Sequence, residues 1–273
     1  MQFVDKAFAR RLEAVEEMPQ VFYARLFQKQ RPEIGAAEEP ICGGHMIFAG
    51  LGSPIGRAVG MGLDQRFTAE DLDRVEEFYR SHDAPPQLDL CPLHDPALFE
   101  MLKTRGDAIA ELNNVLHRKL MPNEEFPAPP SDREIRRSTP GEAEASAAIV
   151  DRAFFPNGAP KEFAGLLAPL YQMENAVTFA ALVDGKMVAC GAGMIIPEHS
   201  ILALFGAGTL PEFRGRGLQT ALLRARMQAA THAGCEYAAI VTNGGTTSQR
   251  NAERLGFRVA YSKVTVIRNL QPH

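Results

Sequence analysis

The residues with the clearest capacity for chemistry form one short segment, LPEFRGRGLQT, at positions 210–220. It lies between a predicted strand at 200–208 and a predicted helix at 217–233. The glycines allow the backbone to approach a ligand closely, and a helix N-terminus offers unpaired N–H groups with partial positive charge. Arg214 and Arg216 add two full charges. The combination predicts a diphosphate-binding loop; the alternative is an exposed turn whose arginines only keep the surface soluble.

The elements around this segment are predicted to form a mixed sheet covered by helices. From residue 133 onward the apolar periodicity gives the order β, α, α, β, β, β, α, β, α, β, with the second helix at 161–172. Asp184-Gly185 predicts a two-residue hairpin. Gly234 stands where the glycine that ends a helix belongs.

The first half of the chain repeats the later part of this order. Strands are predicted at 45–49 and 58–61, joined by a glycine-rich turn, and Thr68 is predicted to cap a helix. A strand, a helix ended by Gly106 and a further strand follow, so that Gly106 corresponds to Gly256. This order indicates a diverged duplication.

A linker is predicted at 121–132, which reads MPNEEFPAPPSD and contains four prolines without any periodicity. It divides the chain into predicted domains at 1–122 and 133–273. Only the second domain contains an arginine–glycine loop ahead of a helix, so only the second is expected to bind a nucleotide-like ligand.

The loop and a later segment together resemble the GNAT superfamily of acetyl-CoA-dependent N-acetyltransferases. The family pattern is Arg or Gln, two residues, Gly, one residue, then Gly or Ala; Arg214, Gly217 and Gln219 occupy these positions. Gln219 departs from the usual small residue. The segment SQRNAERLGF at 248–257 resembles the family's later helix with its closing Gly-Phe. The resemblance covers 133–273 by element order, and the first half by topology alone.

The resemblance implies an α/β fold class with two acetyltransferase-like domains in tandem, each a mixed, mostly antiparallel sheet flanked by helices. It implies that acetyl-CoA is the co-substrate and that a primary amine attacks its thioester directly. For Asn243 an ordinary turn residue is the alternative. The implied cofactor-binding residues are Thr209, Leu210, Arg214, Gly215, Arg216, Gly217, Leu218, Gln219, Thr220, Asn243 and Asn251.

The catalytic acid and base are less clearly marked. Many family members have a tyrosine four residues before the closing glycine, where this chain has Ala252. Tyr261 and Ser248 are therefore the candidate catalytic residues, with strand packing and helix capping as their respective alternatives. A water chain is an alternative base to the side chains that are near the loop in sequence. These side chains are Glu212, His199 and Glu174.

Charge and composition limit the classes of partner that this protein is expected to bind. The net charge of −4 argues against nucleic acid, and no apolar run reaches the roughly 18 residues of a membrane helix. Because the N-terminus mixes acids and bases, no signal peptide is expected, and the prediction is a cytoplasmic protein. A small-molecule or peptide amine is the expected partner of a monomer or homodimer. The rival class is a non-catalytic acyl-CoA-binding or regulatory module.

The cysteines are predicted to be free thiols. Two pairs, Cys42 with His45 and Cys91 with His94, each stand three residues apart and raise the alternative of a zinc site. Neither pair has the neighbouring residues of a usual zinc knuckle, so no metal is expected. Arg224 and Arg226, further along the helix after the loop, are interpreted as surface charges.

Overall fold

The computed structural model describes residues 3–53, 55–158 and 166–268. Its contacts form two compact units. The first contains the chain up to Val115, with Thr242–Gly244 and the residues from Val259 on; the second contains Leu116–Val241 and Gly245–Arg258. These units differ from the predicted ranges 1–122 and 133–273 chiefly in the last strand, which clusters with the first unit.

The first unit combines helices with two sets of strands. β1 and β2 pair with each other, whereas β3, β10 and β4 are neighbours in that order in a larger sheet. The elements are α1 (Lys6–Gln30), β1 (Ala37–Ile41), β2 (Gly44–Phe48), α2 (Ala69–Arg80), β3 (Gln87–Leu90), α3 (Pro96–Thr104), β4 (Ala108–Lys119) and, at the end of the chain, β10 (Arg258–Ile267).

Local sequence signals account for some of these elements and not for others. Thr68 caps α2 and forms a reciprocal capping box with Asp71, as predicted. The predicted strand at 58–61 is wrong, because these residues make only isolated bridges, from Val59 to His45 and from Ala58 to Leu88. β1 was not predicted, since its sequence AEEPI contains two glutamates and a proline.

The second unit is a mixed, mostly antiparallel sheet flanked by helices, so the predicted fold class is confirmed. Its strands lie in the order β9, β8, β7, β6, β5, and only the β8–β9 pair is parallel. The elements are β5 (Glu134–Arg137), α4 (Ala143–Phe154), β6 (Phe179–Val183), β7 (Lys186–Ile196), β8 (Ile201–Thr209), α5 (Leu218–His232), β9 (Tyr237–Asn243) and α6 (Thr247–Arg254).

The predicted helix at 161–172 is not present in the part of that range that the structure describes. Residues 161–165 lie outside the described residues, and Ala168–Tyr171 form a single 3-10 turn. The predicted Asp184-Gly185 hairpin is confirmed, because both residues have positive φ angles, 50° and 72°, between paired strands.

Two irregularities in the sheet shape the end of β8. The parallel pairing of β8 with β9 covers only Ile201–Leu204 against Tyr237–Ile240. The register between β7 and β8 shifts at Gly191/Ala192, opposite Gly206, whose φ of 52° marks a bulge. The last residues of β8 therefore continue beyond the paired part of β9.

α5 is held beside this strand by apolar packing. Leu218 and Leu222 pack in one cluster with Val188, and Leu223 and Met227 pack in a second cluster that includes strand and α6 residues. Each fully buried leucine contributes roughly 2 kcal/mol. The packing fixes the N-terminus of α5, and with it the preceding loop, against the sheet. None of the described helices has the length and apolar character needed to cross a membrane.

Candidate cofactor-binding site

The predicted phosphate loop connects β8 to α5. Gly215 and Gly217 have φ angles of 77° and 74°, a left-handed conformation that glycine adopts without strain. Gly217 is the N-cap of α5; no side chain caps the helix, and its first turn contains no acidic residue. The first-turn N–H groups and the positive end of the helix dipole are therefore available to an anion.

A pocket of about 410 Å³ lies at this loop. Its lining contains the arginines Arg214, Arg250 and Arg254 and no carboxylate, so its field is positive. Eight of the eleven residues predicted to bind the cofactor line it: Thr209, Arg214, Gly215, Gly217, Leu218, Gln219, Thr220 and Asn251. The other three, Leu210, Arg216 and Asn243, do not.

Arg250 and Arg254 were not predicted as site residues. They lie on α6 together with Thr247 and Asn251, and all four line the pocket. The spacing of 247, 250, 251 and 254 places these side chains on one helix face. This polar stripe opposite the buried Ala252 was a signal in the sequence that a search for helical faces would have found.

The two loop arginines have other contacts in the structure. Arg214 donates from Nη2 to the carbonyl oxygen of Ala153 at 2.6 Å, at the end of α4. The Arg216 guanidinium lies 5.0 Å from the centre of the Phe213 ring. Both arginines are exposed, and an arginine has five N–H donors, so donors remain for a phosphate.

Some backbone groups at the end of β8 are already hydrogen-bonded within the protein. Leu210 donates its N–H to the carbonyl of Val188 at 3.0 Å, and its carbonyl accepts from Phe213. The N–H of Leu210 is thus already used within the protein. The stretch 205–209, past the last pair with β9, is the part of the strand where a ligand could add hydrogen bonds along the edge.

Two polar side chains of α5 point inward rather than toward solvent. Gln219 donates to the carbonyl of Gly208 and to Oγ1 of Thr209, both at 2.9 Å. Arg226 is 1% exposed, so its interpretation as a surface charge is wrong. The helical periodicity did not indicate that Arg226 is buried, because an arginine in such a pattern is ordinarily assigned to the solvent-exposed face.

The two candidate catalytic residues have distinct surroundings. Tyr261 is buried in the first unit and donates its hydroxyl to Oε1 of Glu13 at 2.6 Å; burial, and then Glu13, raises the pKa of this phenol. Ser248 is exposed in the first turn of α6. It does not cap that helix, because Thr246 is the N-cap and accepts from the Gln249 N–H at 3.3 Å.

Two candidate bases lie far from the loop within the second unit. His199 precedes the first residue of β8, and a nine-residue strand is about 25 Å long. Glu174 adjoins Asn175, whose carbonyl accepts from Ile195, a residue that pairs with Leu202 near the same end of β8. Glu212 is beside the loop, but it is exposed and pairs with Arg152 at 3.3 Å.

Asp151 on α4 is a carboxylate that sequence reasoning missed. Its Oδ1 is buried and has no hydrogen-bond partner among the described residues, and desolvation raises the pKa of the carboxyl group. Its helix is close to β8, since a Cβ on Gly208 would lie 2.9 Å from the Cα of Val150. Burial raises the pKa of Tyr171 on the neighbouring turn, and the Asp151 charge adds to this; the Tyr171 hydroxyl donates to the carbonyl of Gly206 at 2.6 Å.

The cysteine–histidine pairs considered for zinc have other surroundings. Cys42 has its thiol 3.9 Å from the carbonyl of Arg66, and His45 contacts Glu17 through Nδ1 at 2.8 Å. Cys91 and His94 are buried. Within residues 3–53, 55–158 and 166–268, no group of three or more His, Cys, Asp or Glu side chains is arranged to hold a metal ion.

Comparison with known proteins agrees with this architecture. Residues 147–257 match the model of the "Acetyltransferase (GNAT) family". A GCN5-related N-acetyltransferase from Kribbella flavida is 19% identical with a TM-score of 0.64, over 92% of this chain and 96% of that one. A tandem GNAT protein from the clavulanic acid biosynthesis pathway, solved without AcCoA, is 14% identical with a TM-score of 0.63, over 87% and 80%.

A third structure extends the likeness. A GCN5-related N-acetyltransferase from Sphaerobacter thermophilus is 18% identical with a TM-score of 0.56, over 74% of this chain and 68% of that one. No curated protein gives a significant sequence match. At these identities the likeness establishes the fold, including the tandem arrangement.

Proposed function

We propose that this protein transfers the acetyl group of acetyl-CoA to a primary amine, because its residues 147–257 match the family model of the GNAT acetyltransferases. The observation that carries the proposal is the uncapped N-terminus of α5 in a pocket with three arginines. Such a site matches the several negative charges of coenzyme A.

The residues of the pocket suit the parts of the cofactor. The first-turn N–H groups of α5 would bind the diphosphate, with Arg214 beside them. Arg250 and Arg254 would bind phosphate oxygens from α6. The edge of β8 at 205–209 would pair with the amides of the pantetheine arm. This arrangement leads the thioester along β8 toward the bulge at Gly206.

Bound acetyl-CoA supplies an activated acyl carbon. The neutral amine attacks this carbon, the C–N bond forms as the C–S bond breaks, and the coenzyme leaves as a thiolate. The amine gives up one proton and the thiolate takes one, so no other reactant is needed. The protein contributes chiefly by holding the two reactants together and by hydrogen bonding to the carbonyl oxygen.

We assign the role of base to Asp151. A raised carboxyl pKa brings this group nearer to the working pH, where it can accept a proton from the ammonium form of the substrate. Its unpartnered Oδ1 leaves a position for that proton or for a bridging water. We assign protonation of the thiolate to water, since the Tyr261 hydroxyl is engaged by Glu13.

One observation favours the rival class, a protein that binds acyl-CoA without catalysis. The position of the family's tyrosine is Ala252, which is fully buried in the apolar cluster with Leu223 and Phe257. A binding module would need the phosphate site but neither acid nor base. An enzyme and a binding module would both bind coenzyme A, but only the enzyme would release it from acetyl-CoA in the presence of an amine.

The decisive experiment measures binding and turnover on the same sample. Titration calorimetry with coenzyme A should give micromolar affinity, and acetyl-CoA with a panel of primary amines should release free coenzyme A above the rate of hydrolysis. The double variant Arg250→Ala/Arg254→Ala should weaken binding at least tenfold. Lys103→Ala, which removes an exposed charge from α3, is the control. Binding without amine-dependent release would support the rival class, and no binding would exclude both.

A further inference from the structure

Arg226 is a buried cation without a counter-charge among the described residues. Nη1 donates to the carbonyl of Ala192 at 2.6 Å and of Phe205 at 3.4 Å, and Nε donates to Leu222 at 3.1 Å. Nη2 has no partner within the described chain. Burial lowers the pKa of the guanidinium to about 10, so the group is still charged at neutral pH.

Apolar packing does not explain an arginine at this position. The inner face of α5 is otherwise built from residues such as Leu222, Leu223, Met227 and Ala230, all buried. Taking a charge out of water without an ionic partner costs several kcal/mol. At this site the cost of burying the charge is offset by backbone carbonyl groups, which accept hydrogen bonds from the guanidinium.

The sheet is shaped to accept the guanidinium. The β7–β8 register shifts at Gly191/Ala192, and the bulge at Gly206 lies opposite. A Cβ on Gly191 would stand 2.7 Å from Cζ of Arg226, so only glycine leaves room for the side chain. The missing side chain and the register shift together place the carbonyls of Ala192 and Phe205 within reach.

Gln219 makes the matching contact two turns earlier on α5. It lies seven residues before Arg226, which places both side chains on one face of the helix. Its Nε2 donates to Gly208 and to Oγ1 of Thr209, at 2.9 Å each. Gln219 and Arg226 therefore hold β8 on both sides of the bulge, at 205 and at 208–209.

We propose that Gln219 and Arg226 are positioning residues that fix the backbone of β8 at 205–209 in register with the pantetheine arm of the cofactor. This stretch is paired with β7 on one side but no longer with β9 on the other, so the contacts from α5 add support to a strand that has lost one neighbour. The inference rests on the proposed function, since it assigns part of the same cofactor site. It gives a role to Gln219, the position at which the chain departs from the family's small residue.

The test compares two ligands that differ in the part that β8 would bind. Coenzyme A contacts both the loop and the strand, whereas adenosine 3′,5′-bisphosphate reaches only the phosphate-binding loop. In Arg226→Met and Gln219→Met, coenzyme A affinity should fall about tenfold, equivalent to about 1.4 kcal/mol, while the bisphosphate affinity should change less than twofold. In Arg214→Ala the affinities of both ligands should fall.

Controls separate positioning from stability. Met227→Leu alters the same helix face without removing a hydrogen-bond donor and should leave both affinities unchanged. Gln219 is only partly buried, so its variant provides the result if Arg226→Met does not fold. Equal losses for both ligands, or unchanged coenzyme A affinity in a folded variant, would overturn the inference alone. Failure of the wild-type protein to bind either ligand would overturn the proposed function and this inference with it.

Discussion

Single residues of the loop set the shape of the anion site. Gly217 has a φ of 74° and is the N-cap of α5, so a side chain there strains the backbone and stands beside the first-turn N–H groups. Gly217→Val should weaken coenzyme A binding at least tenfold, measured by calorimetry. Gly141→Ala, at a glycine with no positive φ and an open Cβ position, should leave the affinity unchanged. Equal affinity in Gly217→Val would remove the loop from the site.

Asp151 sets the pH dependence if it is the base. A base acts in its deprotonated form, so kcat/KM of the wild-type protein should rise with pH through the raised carboxyl pKa and then level off. Asp151→Asn should lower kcat about a hundredfold and abolish this rise. Glu144→Gln, which removes an exposed carboxylate two turns earlier on the same helix, should keep the full profile. An unchanged profile in Asp151→Asn would assign the proton to water.

Substitution of Tyr261 tests separately whether this residue is the catalytic acid. Its phenol donates to Glu13, and its pKa is raised, so we expect Tyr261→Phe to leave the shape of the pH–rate profile unchanged. The free energy of unfolding should fall by about 1–2 kcal/mol, because Glu13 loses a buried hydrogen bond. A fall in rate at high pH that the wild-type protein shows and this variant lacks would restore Tyr261 as the acid. Kinetics and urea unfolding on one preparation give both results.

Among the elements, those with strong local signals were predictable from the sequence. The β8–loop–α5 unit followed from two glycines and two arginines at a strand-to-helix junction, and α2 followed from its capping box. Hydrogen-bond partners across the sheet were not predictable. Arg226 was interpreted as a surface charge, and Gln219 was predicted only through the resemblance. The structure shows that both donate hydrogen bonds to the backbone of the sheet.

Across the whole molecule, the last strand depends on a buried charge cluster of the first unit. Lys263, on β10, is 1% exposed. Its Nζ lies 3.2 Å from Oδ2 of Asp89 and 3.6 Å from Oε2 of Glu13, and it also contacts Glu16. Asp89 has a lowered pKa, although burial opposes this, because Lys263 and Arg57 favour its charged form. These contacts connect β10 to α1 and β3, far apart in sequence.

Removing the cation should destabilise the first unit strongly. Lys263→Met leaves buried carboxylates unpaired, and the free energy of unfolding should fall by about 3–5 kcal/mol at pH 7. The loss should shrink as the pH is lowered toward the ordinary carboxyl range, since protonation then neutralises the orphaned acids. Urea unfolding at pH 7 and pH 4.5 measures both effects. A loss below 1 kcal/mol, as for the exposed Lys103→Ala, would show that the cluster is energetically neutral.

Buried His94 should give the protein an acid-sensitive stability. Burial lowers its pKa, so the folded state keeps the ring neutral while the unfolded chain takes up a proton below about pH 6.5. Stability should therefore fall by about 1 kcal/mol between pH 7.0 and 5.5 and be unaffected above pH 7. Urea midpoints of His94→Gln should vary less over this interval, whereas a change at the exposed His232 should not alter the trend.

The assignment of β10 to the first unit has a practical consequence. A gene fragment ending within the proline-rich segment at 121–132 would encode a first unit without one of its central strands. The complementary fragment would carry that strand without its native neighbour β3. We therefore expect that neither fragment folds alone as it does in the full chain. Deletion of the half without a phosphate loop would also remove β3, the neighbour of β10.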